Sequence, residues 1–178
     1  LLASDYSFNQ EYNDAINIYL EVLNLNPNHT NSWHSLALCY YYLEKFPEAE
    51  YAIRRAIKLD NSFDQNYHVL GLILQKTQNS VLALEAHNEA IQINQRFLDA
   101  YISMGDIHFK QENIDTALNF YQVALSIAFG SLIPPILKKI ASIHEKLGNN
   151  QLVAFNLGYS AYLSYQNKKA IPYFEEFL

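Results

Sequence analysis

Residues 30–63 read TNSWHSLALCYYYLEKFPEAEYAIRRAIKLDNSF, and residues 64–97 read DQNYHVLGLILQKTQNSVLALEAHNEAIQINQRF. Set under one another, with LDAYISMGDIHFKQENIDTALNFYQVALSIAFGS at 98–131 beneath, the three keep one register of 34 residues. Trp33, Tyr67 and Tyr101 recur at that interval. So do Leu36, Leu70 and Met104, each followed at once by a small residue, Ala37, Gly71 or Gly105. Alanine returns at Ala49, Ala83 and Ala117, and again at Ala56, Ala90 and Ala124. A fixed period of this length marks a stack of like supersecondary units and decides the fold before any single segment does.

Inside each copy the apolar residues follow helical spacing, as in Trp33, Leu36, Ala37 and Tyr40, then Ala49, Ile53, Ala56 and Ile57. Each copy is therefore two helices. The polar pairs between them, Glu44-Lys45, Gln78-Asn79 and Glu112-Asn113, leave room only for an antiparallel hairpin. One hairpin cannot bury its apolar face alone, so neighbours must stack, and about three units are needed. Alanine and glycine in register let the helices approach to roughly 8–10 Å, while aromatic side chains fill the space between layers.

An incomplete copy precedes these, with Leu2-Ala3, Ala15, Tyr19 and the closing Pro27, so the chain enters part-way along a first helix and then runs through a complete second one. After Ile127 the segment Phe129-Gly130-Ser131-Leu132-Ile133-Pro134-Pro135 breaks the period, because consecutive prolines stop a helix. A new helix starts near Pro135, and three are legible: 136–147, 151–165 and 168–178. Two pairings fit them. Ile140-Ala141 can open a fifth repeat with Ala154 and Ala161 on its second helix, which keeps the layers alternating. Alternatively Leu157-Gly158 opens one with Ala170 and Phe174 following, which matches the motif better and leaves 136–147 unpaired. Pro172 is placed in the first turn of the last helix, where proline is tolerated.

Trp33, Leu36-Ala37, Tyr40, Ala49 and Ala56 in one copy, with Pro27 closing the copy before, resemble the tetratricopeptide repeat (TPR) over residues 1–131. The resemblance implies an all-α, right-handed superhelical solenoid of stacked antiparallel helix hairpins, whose first helices line a concave groove and whose second helices lie outside. Residues 1–178 then form one solenoid domain and a segment of a longer protein: a partial repeat at 1–29, full repeats at 30–63, 64–97 and 98–131, and divergent helices over 132–178.

If first helices line the groove, the side chains between the packing ladder face it. These are Asn31, His34, Leu38, Tyr41 and Tyr42, then Gln65, His68, Leu72, Gln75 and Lys76, then Asp99, Ile102, Asp106, Phe109 and Lys110. Lys138, Lys139 and Lys146 follow on the fifth-repeat pairing. An early apolar stretch and a later basic one suit a partner peptide or helix with an apolar anchor and an acidic end. The family's clamp for the terminal carboxylate of cytosolic chaperones is not built here, since His34, Leu38, Val69, Asp99 and Ser103 stand in its places. Ser35, Val69 and Ser103 likewise replace the asparagine ladder of the repeat-bearing sugar transferases.

The 178 residues are half apolar, as a packed protein requires, and carry a net charge of -6, which argues against nucleic acid as the partner. No apolar stretch reaches the roughly 20 residues of a membrane span. Cys39, with no second cysteine to pair with, fits a reducing compartment, the cytoplasm first and the nucleus second. None of the six histidines has another four residues away, no phosphate loop or nucleophile elbow occurs, and Cys39 has no base beside it. His108 and His144 fall in the register of Tyr6 and Tyr40, which suits interlayer packing. The expectation is a non-enzymatic interaction scaffold with no cofactor or metal. Two alternatives stand beside it: a self-associating homo-oligomer rich in tyrosine, and a recruiting region of an enzyme whose catalytic domain lies elsewhere.

Overall fold

The computed structural model describes the backbone from residue 2 to residue 177 and the side chains of residues 10–166 and 168–177. Among them ten α-helices follow one another and no strand occurs. Helices α1 (Leu2–Leu25), α2 (Thr30–Tyr42), α3 (Phe46–Leu59), α4 (Asp64–Lys76) and α5 (Ser80–Ile93) belong to one compact unit, residues 1–95. Helices α6 (Leu98–Lys110), α7 (Ile114–Ile127), α8 (Ile133–Lys146), α9 (Asn150–Leu163) and α10 (Asn167–Phe177) belong to a second, residues 96–178. In each, every helix packs against the next in chain order, most extensively within a hairpin.

The hairpins close through one turn. Glu44, Gln78 and Glu112 lie in the left-handed region, at φ 57°, 61° and 63°. The following N–H then reaches back five residues: Lys45 to Tyr40 O at 2.9 Å, Asn79 to Leu74 O at 2.8 Å, Asn113 to His108 O at 2.9 Å. This six-to-one bond satisfies a carbonyl at the end of the first helix that would otherwise have no donor. Between repeats the chain leaves differently, with α3, α5 and α7 ending on the extended residues Asp60, Asn94 and Ala128.

What holds each pair together is a small residue meeting a large one sixteen places later. A Cβ on Gly71 would stand 2.4 Å from the His87 ring, and one on Gly105 would stand 2.5 Å from Tyr121. Glycine is present because a ring occupies the space of its side chain. In the repeat before, the same two places hold Ala37 and the aliphatic Ile53, both without solvent exposure. The pair recurs out of register at Gly158, where a Cβ would meet Phe174 at 2.9 Å.

That last contact bears on the C-terminal helices. Gly148 (φ 70°) and Tyr165 (φ 57°) both make the hairpin turn, with Asn149 N to His144 O and Gln166 N to Ala161 O at 2.9 Å each. Helix α9 packs on α8 and on α10 as closely as the two helices of a repeat do. Each pairing is therefore realised in part: α9 is second helix to α8, so that 136–147 is not left unpaired, and it is also first helix to α10.

Three expectations fail. The partial copy at the N-terminus is one continuous helix, α1, where the end of one helix and the whole of another were expected. No glycine or proline interrupts residues 2–25, and Gln10 Nε2 donates to Asp14 Oδ1 at 3.0 Å across the place where a turn would fall. The packing roles of Leu2, Ala3 and Tyr6 lie outside the described side chains. Helix α8 starts at Ile133, after a 3-10 turn over Gly130–Leu132, and takes Pro134 and Pro135 into its first turn, where their missing N–H groups have no helical partner to lose. Pro172, by contrast, is the sixth residue of α10 and not in its first turn, because that helix begins at Asn167. It removes one helical hydrogen bond.

Two stability measurements test this account. Gln78→Gly relieves a left-handed side chain and should raise stability by about 1 kcal/mol, a melting shift of roughly 2–4 °C. Gly71→Ala should lose about 1–3 kcal/mol to overpacking. Combined with His87→Ile, which recreates the Ala37 and Ile53 pair, it should lose less than the sum of the two single changes in urea denaturation.

Candidate functional site

In the first unit α2 and α4 lie side by side, and the residues expected to face a groove divide in two. Asn31, Tyr42, Gln65 and Lys76 are exposed, whereas His34, Leu38, Tyr41, His68 and Leu72 are half-buried. Tyr42 stacks on Tyr12 of α1 at 5.2 Å, and Tyr41 meets Tyr42 and Phe46 edge-on. The two histidines are already engaged. His34 Nδ1 donates to Asn66 Oδ1 at 2.8 Å, with its ring against Phe63, and so ties α2 to α4. Asn66 is wholly buried, and its Nδ2 has no partner.

His68 points to His87, with Nδ1 to Nδ1 at 3.3 Å, and Gln75 Nε2 lies 2.8 Å from His87 Nε2. An amide nitrogen only donates, so His87 Nε2 accepts, its proton sits on Nδ1, and that N–H donates to His68. A second proton on His87 would face the amide N–H2 head-on. Burial and the neighbouring His68 together depress the His87 pKa to about 3.

In the second unit the arrangement is more open. Asp99, Lys110 and Lys138 are exposed, while Ile102, Asp106, Phe109 and Lys139 are half-buried. The Tyr121 hydroxyl donates to Asp106 Oδ1 at 2.6 Å, and Lys139 Nζ meets the same oxygen at 2.6 Å. Burial first, and then the Asp106 carboxylate, push the Tyr121 pKa up, so the phenol remains a donor. Lys139 also lies over the Tyr121 ring at 5.7 Å, and Lys146 Nζ stands 4.8 Å above Phe109. Asp106, Phe109, Lys110 and Lys139 thus line one cavity of about 290 Å³ with Tyr121 and Ser142.

Sequence reasoning missed Asn66, His87, Tyr121 and Ser142 as members of these clusters. A signal existed for His87, which replaces Ile53 and Tyr121 in a column that the period makes central to the hairpin. Among the described residues no three of His, Cys, Asp and Glu come together as a metal site, and no helix is long and apolar enough to cross a membrane. Cys39 is buried, which raises its pKa and keeps it a thiol. His108 stacks on Phe120 at 5.4 Å, and His144 is half-buried with a lowered pKa.

Residues 98–130 match the family model described as tetratricopeptide repeat, and residues 1–56 match the one described as anaphase-promoting complex, cyclosome, subunit 3. The chain thus carries a tetratricopeptide repeat at 98–130. Its fold is that of solved TPR solenoids. It is similar to MamA (TM-score 0.78, 21% identity, covering 90% of this chain and 92% of that one). YrrB, described as a TPR protein with an unusual peptide-binding site, gives a TM-score of 0.68 at 17% identity, with 93% and 84% covered. The Cut9–Hcn1 hetero-tetramer of the APC/C gives 0.72 at 16% identity over 94% of this chain, which spans 36% of that chain's length. No curated protein sequence matches the chain significantly.

The buried His87 makes stability depend on pH. The unfolded chain takes up a proton on it near pH 6.5 and the folded chain only near 3, so stability is complete above about 6.5 and falls as the pH drops through that window. Acidifying from pH 7 to pH 5 should cost about 2 kcal/mol in urea denaturation. His87→Phe, which repeats the Gly158 and Phe174 pair, should flatten most of that slope.

Proposed function

We propose that this chain is a non-enzymatic scaffold that holds a segment of another protein, a peptide or a helix, against the first helices of its repeats, as part of a multiprotein assembly. The cavity between α6 and α8 carries the reading. Four residues expected from sequence to face a groove converge there, and Asp106 is already committed to Lys139. The charges left over are Lys110, which lines the cavity, and Lys146, whose Nζ stands over the Phe109 ring. Such a site suits a carboxylate next to an apolar side chain: the acid meets the ammonium groups while the apolar group lies on the ring. In the first unit Leu38, Leu72, Tyr41 and Tyr42 offer apolar contact without a matching cluster of lysines.

Several observations support an interaction role. The peptide-binding site named for YrrB and the assembly named for Cut9–Hcn1 belong to proteins of the same fold, and the first 56 residues match a family named for a subunit of that complex. A net charge of -6 suits protein partners better than nucleic acid, and a buried thiol at Cys39 suits the reducing interior of the cell. Affinity for one short segment should be roughly micromolar, about -8 kcal/mol.

Selection of peptides from a displayed random library on the immobilised chain tests the proposal. The enriched peptides should place Asp or Glu within a few residues of an aromatic or aliphatic anchor. By fluorescence anisotropy, Lys110→Glu with Lys146→Glu should weaken a selected peptide by about tenfold or more. Enrichment of basic peptides, or undiminished binding by that variant, would rule the site out.

A further inference from the structure

Between α1 and α3 lies a crevice of about 340 Å³ with α2 beneath it. Leu36 and Ala52 close its base, both buried. Trp33 and Tyr40 of α2 and Pro47 and Tyr51 of α3 line it with rings, Leu20 of α1 forms the other wall, and Glu48 stands at one end. Trp33 and Tyr51 meet edge-on at 6.0 Å, so their faces turn in two directions. One period later the places of Leu20, Trp33, Tyr40 and Tyr51 hold Arg54, Tyr67, Leu74 and Glu85, so the next repeat does not copy this lining.

The chemistry of the crevice indicates what fits it. Trp33 Nε1 already donates to Pro27 O at 2.9 Å, but the Tyr40 and Tyr51 hydroxyls have no hydrogen-bond partner among the described residues. Burial first, and then the Glu48 carboxylate, raise the Tyr40 pKa, so its phenol keeps its proton and can donate. A polyproline II segment needs donors alone, because its carbonyls make no internal hydrogen bonds and proline has no N–H. Its length also matches. One turn of three residues rises about 9 Å, and Trp33 and Tyr40, seven residues apart on α2, stand about 10 Å apart along that helix. Side chains one turn apart on such a segment therefore fall on the two rings.

Charge sets the direction of the ligand. The wall helix α1 carries Glu11, Asp14 and Glu21, all exposed, and neither lysine nor arginine. Glu48, beside Tyr40, has no ion-pair partner among the described residues, whereas Trp33 already holds the Arg55 guanidinium over its ring at 5.5 Å. A basic residue of the ligand thus belongs at the Glu48 end and uncharged residues at the Trp33 end.

We propose that the crevice between α1 and α3 docks a proline-rich segment of a partner protein in the polyproline II conformation, with its apolar ridge on Trp33, Tyr40 and Tyr51 and a lysine or arginine at Glu48. Aromatic-lined grooves suit this ligand because its conformation is already ordered before it binds. The site is separate from the cavity beside Phe109 and opposite to it in charge.

Trp33 is the chain's one tryptophan, so its emission reports on the crevice. Titration of the 178-residue chain with a peptide of about nine prolines flanked by arginines, roughly three turns of polyproline II, should shift that emission saturably, with a Kd of about 100 µM or tighter. The same prolines flanked by glutamates should bind about tenfold more weakly. A glycine and serine peptide that keeps the arginines should give no saturable shift. By anisotropy of a labelled proline peptide, Tyr51→Ala, at a position 62% exposed, should weaken binding about tenfold with helical circular dichroism unchanged. Glu48→Gln should remove most of the preference for arginine over glutamate. Lys110→Glu with Lys146→Glu should leave this binding as it is, which separates the two sites. Absence of a saturable shift, a response that needs only the arginines, or binding indifferent to Tyr51→Ala would overturn the proposal.

Discussion

Each hairpin depends on how near its two helices can come, and one side chain sets that distance. Where the first helix offers glycine, the second can press a ring against its backbone, as His87 and Tyr121 do; where it offers alanine, an aliphatic chain such as Ile53 is the largest that stands opposite. Interiors packed to the density of organic crystals allow little slack in such a pair. The spacing of the backbones follows from it, and so does the choice of side chains left facing outward.

That choice also draws polar groups inward. Ile53 and Phe174 fill their places without any hydrogen-bonding atom, but an imidazole or a phenol brings one that must be matched when water is excluded. His87 takes Gln75 and His68 as partners, and Tyr121 takes Asp106, which in turn holds Lys139. Residues that alternate along an inner face are thus fixed by the demands of a ring one helix away. The cavity beside Phe109 owes its arrangement to this chain of obligations, because Asp106 is anchored from below by Tyr121 and Lys139 is anchored by Asp106.

Much of this was readable in the sequence. The repeat spacing of Trp33, Tyr67 and Tyr101 gave the helices and the hairpin turns, because a period constrains every copy at once. Pairings that depend on side-chain reach were not readable: nothing in the spacing alone says that His34 bonds to Asn66 instead of facing a partner, or that Lys139 meets Asp106. The N-terminal turn was misjudged because repeat register implies a break that local sequence does not enforce. Pro172 was misjudged because helix starts are set by the preceding turn, here the left-handed Tyr165, and not by the proline itself.

The double pairing of α9 bears on how the chain opens. In an ordinary array the last repeat can detach while its neighbour stays intact, since each hairpin is closed on itself and joined to the next by a thinner contact. With α9 shared between α8 and α10, no such seam exists among the last three helices. Loosening α10 bares the glycine side of α9, and loosening α8 strips the opposite side. Residues 133–177 should therefore melt and exchange their amide protons as one cooperative block.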